Sequence, residues 1–368
     1  MKILHLTTHL NRGGISNYIL SVGAALHQKG HKVFVVSSGG EMQKEFEECG
    51  IRLKTMPIRT KSELSWRIYA ALPELLRWIR KEKIDLLHAH TRITQVIAFL
   101  IGLIQGTPSV TTCHGFYKRR LGRRLLPCWG KRAVAISDPV ADHLRDTFGL
   151  PPERIRVVYN GVDLQTLRNR FLKHDPVVVK RDYGFPEESY VLGVTARLVP
   201  DKGHEFLIRA VKDLESEFPN LCLLIVGDGR HRQYLEGLTR HQGLMERVYF
   251  TGNLRDVSFP LRAMDIFVLP AVWREGFGLS IVEAMACEIP VIVTNIWALN
   301  SLIQNGVNGV LVEPRNVGEL AEGIRKMLRD SALRERIGKV GRKTAEERFS
   351  LDRMVHELEA VYEDAIQR

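Results

Sequence analysis

The feature that most constrains the fold of this chain is an alternation of strand-like segments with longer amphipathic stretches, which occurs in both halves. Strand-like segments occupy residues 2–7, 31–37, 84–88, 109–113, 190–195, 221–226, 248–251, 266–269 and 290–294, and the last two are short apolar runs typical of strands covered on both faces. Amphipathic stretches that predict helices occupy residues 16–29, 205–218, 232–241, 316–329 and 333–348. Strands that alternate with helices indicate βαβ units and parallel sheets.

The length of the chain indicates more than one core. A soluble chain of 368 residues suits two domains, so we predict an α/β protein with two Rossmann-like domains facing across a cleft. Residues 165–188 lack a clear period and include Pro176 and Pro186, which places a linker at 166–188. We therefore expect an N-terminal domain at 1–165, a C-terminal domain at 189–348 and a last helix at 349–368. Ligands of such sheets bind at the carboxyl ends of the strands.

Cysteine usage and apolar runs indicate a cytoplasmic protein. The five cysteines are odd in number and form no C-x-x-C pair, which argues against a disulfide framework or a zinc site and favours a reducing compartment. The first residues lack the long apolar core and cleavage site of a signal peptide. The most apolar run, residues 93–104, is too short to span a bilayer and predicts a buried helix.

One glycine-rich segment carries the strongest functional signal. Glu275 and Glu283 lie eight positions apart across a predicted loop-to-helix junction that contains Gly276 and Gly278. The glycines can bring backbone N–H groups close to a ligand, and the following helix N-terminus favours a negative charge. Carboxylates beside such a helix end suit a molecule with hydroxyl groups and a diphosphate, such as a nucleotide sugar.

This segment and five others, in their order along the chain, resemble a known family. The others are Gly13-Gly14, His114-Gly115, Asn160-Gly161-Val162-Asp163, Arg197 with Lys202-Gly203, and Gly227-Asp228-Gly229. Together with Glu275–x7–Glu283 they resemble retaining glycosyltransferase family 4, also described as glycosyl transferases group 1. The resemblance implies the two-domain GT-B fold, with a C-terminal helix that crosses back to the first domain.

The resemblance also implies roles for the catalytic candidates. Arg197 and Lys202 follow a predicted strand, and together they can neutralise a leaving diphosphate. His114 also follows a predicted strand, and the resemblance implies that it hydrogen-bonds the donor sugar. Glu275 is then an acceptor for sugar hydroxyls and Glu283 for ribose hydroxyls. The implied donor-binding residues are Gly14, Arg197, Lys202, Gly227, Gly229, Gly276, Phe277, Gly278 and Glu283.

Neither a metal nor another cofactor is expected. The chain contains no Asp-x-Asp pair, so we expect the cationic Arg197–Lys202 pair to act in place of a divalent metal. His88 and His90 could be metal ligands, but the sequence offers no third ligand for them, which favours packing. Asn160-Gly161 is a turn signal and suits a structural role as well as a ligand contact.

Two positions depart from the pattern of the family. Glu288 stands where a glycine is usual, and residues 297–301 replace the common Gly-Gly-x-Pro-Glu stretch. Trp297, in the second of these, is a candidate wall of the donor pocket or a packing residue. The donor sugar therefore cannot be carried over from commoner relatives.

The positive charge of the chain is concentrated in its first half. Residues 1–170 contain 27 Lys+Arg and 13 Asp+Glu, a net +14, whereas the remainder contains 26 and 29, a net −3. Residues 118–132 hold seven cations interleaved with leucines and a tryptophan, a pattern that suits docking at an anionic membrane. The candidate docking residues are Lys118, Arg119, Arg120, Arg123, Arg124 and Trp129. Nucleic-acid binding and an ordinary solvated basic face remain alternatives.

The sequence therefore predicts a retaining, metal-independent glycosyltransferase. We expect it to move a sugar from a UDP- or GDP-sugar to a glycolipid, lipopolysaccharide or other polysaccharide-precursor acceptor. We expect it to lie in the cytoplasm, peripherally on the inner face of the cytoplasmic membrane, with no nucleic-acid partner. The alternatives are a sugar-nucleotide epimerase on the same fold and, in a different class, a basic Rossmann-type nucleic-acid-binding protein.

Overall fold

The chain folds into two compact units. The computed structural model describes residues 1–60, 62–63, 65–119 and 121–367. One unit comprises Met1–Gly161 together with the chain from Leu351 onward, and the other comprises Val162–Ser350. Each unit contains its own parallel sheet with helices packed against it.

The first unit is built on a seven-stranded sheet in the described chain. Its strand order is β3-β2-β1-β4-β5-β6-β7, and every pairing in it is parallel. The strands are β1 (Lys2–Leu6), β2 (Lys32–Ser37), β3 (Arg52–Thr55), β4 (Leu86–Ala89), β5 (Ser109–Cys113), β6 (Arg132–Ala135) and β7 (Ile155–Val157). The helices are α1 (Gly14–Gln28), α2 (Gln43–Glu48), α3 (Trp66–Glu82), α4 (Arg92–Gln105), α5 (Leu121–Leu125) and α6 (Asp138–Phe148).

The second unit is built on a six-stranded parallel sheet, again within the described chain. Its strand order is β10-β9-β8-β11-β12-β13. The strands are β8 (Tyr190–Thr195), β9 (Leu221–Val226), β10 (Val248–Gly252), β11 (Ile266–Leu269), β12 (Val291–Thr294) and β13 (Val310–Val312). The helices are α7 (Leu164–Leu172), α8 (Pro176–Asp182), α9 (His204–Leu214), α10 (Arg232–His241), α11 (Ser258–Ala263), α12 (Leu279–Ala286), α13 (Val317–Arg329) and α14 (Ser331–Arg348).

The last helix, α15 (Leu351–Gln367), belongs to the first unit, as the family resemblance implies. Its apolar face packs with α1 in a core cluster that includes Tyr18, Val355 and Tyr362. The opposite face of the same sheet is covered by α3 and α4, in a cluster that includes Leu75 and Ile97. The central strands are therefore buried on both faces, which is why their residues are largely apolar.

Two Rossmann-like α/β units with parallel sheets confirm the predicted fold class. The strand order reverses direction between β1 and β4 in the first sheet and between β8 and β11 in the second. Such switch points open a crevice at the carboxyl ends of the strands, where ligands of this fold class bind. A ligand site is therefore expected at the residues that follow β1 and β4, or at those that follow β8 and β11.

The segment predicted as a linker, 166–188, contains most of α7 and the whole of α8. Asp163 caps the N-terminus of α7 by accepting a hydrogen bond from the Thr166 N–H at 2.9 Å. Asp175 caps α8 in the same way, from the Val177 N–H at 2.8 Å. Both helices pack against α11, and the structure divides the chain at Gly161 and Val162 instead. Both helices are short, so the hydrophobic periodicity of the segment is weak in the sequence and neither helix was predicted. Their side-chain caps stabilise them in the structure.

The predicted buried helix at 93–104 corresponds to α4, which begins with a capping box at Thr91 and Thr94. Within the described part of the chain, no helix combines the length and apolarity needed to cross a membrane.

Candidate active site

The switch point of the second sheet brings Lys202 and Glu275 together. Lys202 ends a 3-10 turn, Pro200–Lys202, after β8, and Glu275 lies between β11 and α12. The Lys202 ammonium donates a hydrogen bond to the Glu275 carboxylate, and both side chains are mostly buried. Arg197 lies five residues before Lys202 and is exposed. Two cations and a carboxylate therefore lie near the carboxyl ends of β8 and β11.

The glycines of this region are required by close backbone approaches. Gly203 has φ 68°, and a Cβ there would lie 1.9 Å from the Pro270 carbonyl oxygen. A Cβ at Gly227 would lie 2.1 Å from the Ala196 oxygen, and one at Gly229 would lie 2.3 Å from the Leu198 oxygen. The loops after β8 and β9 are thus in direct backbone contact. Gly227 and Gly229, predicted as nucleotide contacts, have a packing role that is independent of any ligand.

The glycine-rich segment forms the start of α12. Gly278 is its N-cap with φ 98°, a left-handed conformation that favours glycine, and Gly276 lies two residues earlier. The Phe277 ring, predicted as a donor contact, is buried and packs edge-on against Phe349 with ring centroids 5.4 Å apart. The ring of Phe277 therefore packs inside the second unit and anchors this loop there.

Glu283 lies one turn into α12 and is half-buried. Burial raises the pKa of the Glu283 carboxyl to about 7. A carboxyl whose pKa lies near neutral pH is unusual for a structural glutamate, and such shifts cluster at functional sites.

The first sheet places four histidines and a threonine on one face. His5 of β1 is the register partner of His88 of β4, and His90 follows two residues later. Thr112 of β5 and His114 occupy the equivalent alternate positions of the neighbouring strand. Since alternate residues of a strand share a face, all of these side chains point to the side covered by α1 and α15. His5, His88 and His90 are fully buried, and His114 is half-buried.

Hydrogen bonds connect these side chains in two separate groups. In one, His114 Nε2 lies 3.1 Å from His90 Nδ1, and His90 Nε2 lies 2.9 Å from His5 Nδ1. In the other, His88 bonds the Tyr362 hydroxyl through Nδ1 and the Thr112 hydroxyl through Nε2, both at 2.7 Å. Burial lowers the pKa of His5 and of His114 to about 3, and lowers the pKa of His88 and His90 well below their ordinary range.

These contacts bear on the question of a metal at His88 and His90. His5 supplies the third histidine that the sequence could not provide, since ligand atoms of the three rings lie within 4.8 Å of one another. Both nitrogens of His88 and both of His90 are already engaged in hydrogen bonds. A metal would have to displace those bonds, so the donor set fits a hydrogen-bonded cluster better than a ligand set.

The start of α1 is open. Gly13 is its N-cap and Gly14 its first residue. A Cβ built at either position meets no atom of the described residues within 4 Å. Local packing therefore does not require glycine at Gly14, unlike Gly227 and Gly229, and the free space suits a ligand that approaches the backbone.

The predicted membrane-docking residues need correction. Trp129 is only 3% exposed, and Arg123 is 7% exposed. The Arg123 guanidinium stacks on the Tyr117 ring at 4.2 Å and on the Trp129 ring at 4.9 Å, and it donates to Gln95 Oε1 at 3.1 Å. Neither Arg123 nor Trp129 can therefore reach a membrane. Their cation–π contacts explain why a basic and aromatic sequence pattern here forms a small core.

Other residues of the same segment are exposed. Lys118 and Arg119 are exposed as predicted, whereas Arg120 and the Arg124 side chain lie outside the part of the chain that is described. Two leucines of this segment, which were not among the predicted docking residues, are strongly exposed. Leu121 is 71% and Leu125 is 69% exposed. They border a groove of about 730 Å³ that is also lined by Tyr69 of α3.

The two departures from the family pattern differ in their surroundings. Glu288 has φ 60°, a conformation that favours glycine, and its carboxylate lies 2.7 Å from Arg342 and 3.4 Å from Arg168. Trp297 is partly exposed in a turn whose next residues, Ala298 and Leu299, are buried. The ion pairs hold Glu288 in place, and Trp297 offers an accessible ring.

The fold consists of two Rossmann-like units with candidate site residues at the carboxyl ends of their strands, and comparison with known proteins gives the family. Residues 12–166 match the family described as Glycosyltransferase Family 4, and residues 178–344 match Glycosyl transferases group 1. The chain belongs to the family 4 glycosyltransferases and is a glycosyltransferase with the GT-B fold, which confirms the predicted family and enzyme class.

Similar proteins span nearly the whole chain. An uncharacterized glycosyltransferase of Methanocaldococcus jannaschii is 26% identical over 96% of this chain and 95% of its own. The UDP-Gal:alpha-D-GlcNAc-diphosphoundecaprenol alpha-1,3-galactosyltransferase of Escherichia coli is 28% identical over 72% of this chain and 71% of its own. The structure of Anabaena Alr3699/HepE in complex with UDP-glucose has a TM-score of 0.84 at 22% identity, over 99% of this chain and 100% of that chain. At that identity the structural likeness concerns the fold.

Proposed function

We propose that this glycosyltransferase is retaining and metal-independent, and that it moves a sugar from a UDP- or GDP-sugar to a lipid-linked saccharide. The observation that carries the proposal is the meeting of Lys202 and Glu275 at the switch point of the second sheet. Its support from relatives is the UDP-sugar named for the Escherichia coli enzyme and the UDP-glucose complex of the Anabaena protein.

Charge exchange at Lys202 is central to the proposed reaction. Without a ligand, the ammonium is neutralised by Glu275. A diphosphate would compete for Lys202, with Arg197 as a second cation, and Glu275 would then accept hydrogen bonds from hydroxyls of the donor sugar. Charge that develops on the leaving diphosphate is stabilised best by cations already in place. This arrangement supplies the neutralisation that other transferases obtain from a divalent metal.

The bond changes in the proposed step balance without a side-chain nucleophile. The bond from the anomeric carbon to the diphosphate oxygen breaks, and a bond to the acceptor oxygen forms on the same face of the sugar. The proton of the acceptor hydroxyl passes to the leaving diphosphate. His114 holds a hydroxyl of the donor sugar, and Glu283 accepts hydrogen bonds from the ribose.

A lipid-linked acceptor fits the surface of the first unit. The exposed leucines of α5 lie beside the exposed cations Lys118 and Arg119, a combination that favours an anionic bilayer surface. The Escherichia coli relative acts on a diphosphoundecaprenol-linked sugar by its name. We place the enzyme on the inner face of the cytoplasmic membrane for this reason.

Thermal unfolding with excess UDP, GDP, ADP, NAD or short RNA, in the presence of a chelator, tests the donor class. A ligand at about a hundred times its dissociation constant adds roughly 2.7 kcal/mol to the free energy of unfolding. We expect stabilisation by UDP or GDP, and its loss in Lys202→Ala but not in Lys212→Ala. Lys212 is a suitable control because it also pairs with a glutamate, Glu215, in the same unit.

Transfer to a lipid-linked acceptor then separates the transferase from the epimerase alternative. Turnover that needs the acceptor supports the transferase, whereas conversion of the nucleotide sugar without any acceptor contradicts it. A response in the unfolding assay to RNA or NAD alone would contradict both.

A further inference from the structure

The hydrogen-bonded series His5–His90–His114, called the histidine chain below, bears on which nitrogen of His114 carries the proton. His114 is bonded through Nε2 to His90, which is bonded in turn to His5. The remaining nitrogen of His114, Nδ1, makes no hydrogen bond within the described residues. At the other end, His5 Nε2 is buried and has no partner among the described residues.

Each ring in this chain is neutral at pH 7, so each carries one proton and one lone pair. Burial lowers the pKa of His5 and of His114 to about 3 and lowers the pKa of His90 well below its ordinary range. A hydrogen bond between two neutral rings needs one donor and one acceptor nitrogen. The three protons therefore have two consistent arrangements, which run in opposite directions along the chain.

The two arrangements differ in what they leave buried at His5 Nε2. In the first, His5 Nδ1–H donates to His90, and His90 Nδ1–H donates to His114, so the unpaired group at His5 is a lone pair. In the second, every bond is reversed and the unpaired group is an N–H. Buried N–H groups without a partner are rarer in proteins than unsatisfied acceptors, which favours the first.

We propose that His90, held by His5, fixes His114 in the tautomer that carries its proton on Nδ1. His114 then presents an N–H donor to its ligand and not a lone pair. This inference rests on the proposed role of His114 in holding the donor sugar, and it adds the chemistry of that contact. The matching group on the sugar is a hydroxyl oxygen that accepts a hydrogen bond. His90 and His5 are positioning residues, since they act through His114.

Packing around His114 fits this role. The Tyr18 ring lies edge-on to the His114 ring, with centroids 4.7 Å apart, and the His90 ring lies 5.4 Å away. Tyr18 is itself held by the Thr112 hydroxyl at 3.2 Å. The ring of His114 therefore has both a fixed plane and a fixed hydrogen-bond partner, which is the usual way in which proteins select an imidazole tautomer.

The tautomer can be read directly by long-range 1H–15N correlation NMR of the ligand-free protein labelled at histidine. The His114 resonances are assigned by their absence in His114→Gln. We expect Nδ1 of His114 to be protonated and Nε2 to be unprotonated at pH 7.5. A protonated Nε2 in the wild type would overturn the proposal, and this result needs no variant that might fail to fold.

Variants at His90 test whether that residue sets the tautomer. In His90→Ala, we expect His114 to show averaged tautomers and kcat to fall about ten- to a hundredfold, as for other partners that orient an imidazole, with little change in KM for the donor. The amide of His90→Asn can still donate to His114 and should restore much of both. An unchanged His114 tautomer in His90→Ala would overturn the proposal.

His88→Gln is the matched control, because His88 is equally buried in the same cluster but bonds Tyr362 and Thr112 instead. It should lower stability without moving the His114 resonances to the other tautomer. If the protein proved to transfer no sugar, the proposed function would fail while the tautomer measurement would stand, so the two failures are distinguishable.

Discussion

At the scale of single residues, burial sets the charge state of the candidate groups, and it does so in opposite senses. It removes the charge from the histidines of the first unit, where His5 and His114 have their pKa lowered to about 3. In the second unit it raises the pKa of Glu283 to about 7. Desolvation disfavours the charged form in every case, so bases lose protons and acids keep them.

The raised pKa of Glu283 predicts a pH-dependent stability. The folded pKa of about 7 exceeds the unfolded value. At low pH, where the carboxyl is protonated in both states, it therefore does not lower the free energy of unfolding. As the pH rises from the unfolded pKa to the folded one, the carboxyl lowers the free energy of unfolding progressively. Glu283→Gln should therefore be more stable than the wild type at pH 8, by up to about 3 kcal/mol, and equal to it at pH 4.5. Urea unfolding at the two pH values measures this, and a pH-independent difference would contradict it.

The same shift predicts weaker nucleotide binding in acid. If ribose hydroxyls donate to the Glu283 carboxylate, the affinity for UDP or GDP should fall by up to tenfold per pH unit below about 7. Glu283→Gln should bind weakly at every pH, which calorimetric titration would show.

At the scale of elements, the connection from α12 to β12 shows how the chain accommodates a residue that departs from the family pattern. Glu288 has φ 60°, and a Cβ at Gly338 of α14 would lie 2.2 Å from its carbonyl oxygen. The close approach of α14 therefore fixes the backbone at Glu288. The ion pairs with Arg342 and Arg168 hold a side chain at a position where glycine would be the least strained residue.

Two substitutions at Glu288 separate backbone strain from the ion pairs. Both Glu288→Ala and Glu288→Gly remove the carboxylate, but only glycine relieves the left-handed conformation, which costs other residues roughly 1–2 kcal/mol. Glu288→Gly should therefore be more stable than Glu288→Ala by about 1 kcal/mol in urea unfolding. Equal stabilities, or a more stable alanine variant, would show that the backbone is unstrained.

At the scale of the whole molecule, charge divides the chain in the same way as the fold. Residues 1–170, with 27 Lys+Arg and 13 Asp+Glu, carry a net +14, and nearly all of them belong to the first unit. The exposed leucines of α5 lie on that basic unit. Long-range attraction to anionic lipid and local insertion of leucines would act together in membrane binding. The two contributions can be separated, because the electrostatic attraction falls with salt and the insertion of leucines does not.

Vesicle binding tests this combination. We expect the protein to cosediment with vesicles of phosphatidylcholine and phosphatidylglycerol but weakly with phosphatidylcholine alone, and to be released by 0.5 M salt, on the order of the concentration that shortens the Debye length to a few ångströms. The double variant Leu121→Ser and Leu125→Ser should bind at least about tenfold more weakly, since each leucine contributes up to about 1.5–3 kcal/mol when buried.

Met245→Ser is the control, because Met245 is an exposed apolar residue of the second unit. Equal binding by the double variant and by this control would contradict docking through α5. Salt-sensitive binding to RNA with none to vesicles would favour the nucleic-acid alternative.

The sequence by itself determined much of the architecture, because that information is local. Strands buried on both faces are largely apolar, so β8, β9 and β11 coincide with apolar runs at the predicted residues. Edge strands such as β3 and β13 are short and only partly buried, and they gave no such signal. The glycine-rich loop between Glu275 and Glu283 was recognisable for the same reason, since its residues are adjacent in the chain.

Only the tertiary structure decided which distant residues act together. His5 lies on β1, and His90 and His114 directly follow β4 and β5. Strand register, which the sequence does not encode locally, brings them into one chain of hydrogen bonds. The same is true of Lys202 and Glu275, which are 73 residues apart. Burial of Arg123 and Trp129 also depends on the tertiary structure. In the sequence, a cation among aromatic residues fits a membrane surface and a stacked core equally well, and only the packing of the folded chain distinguishes the two.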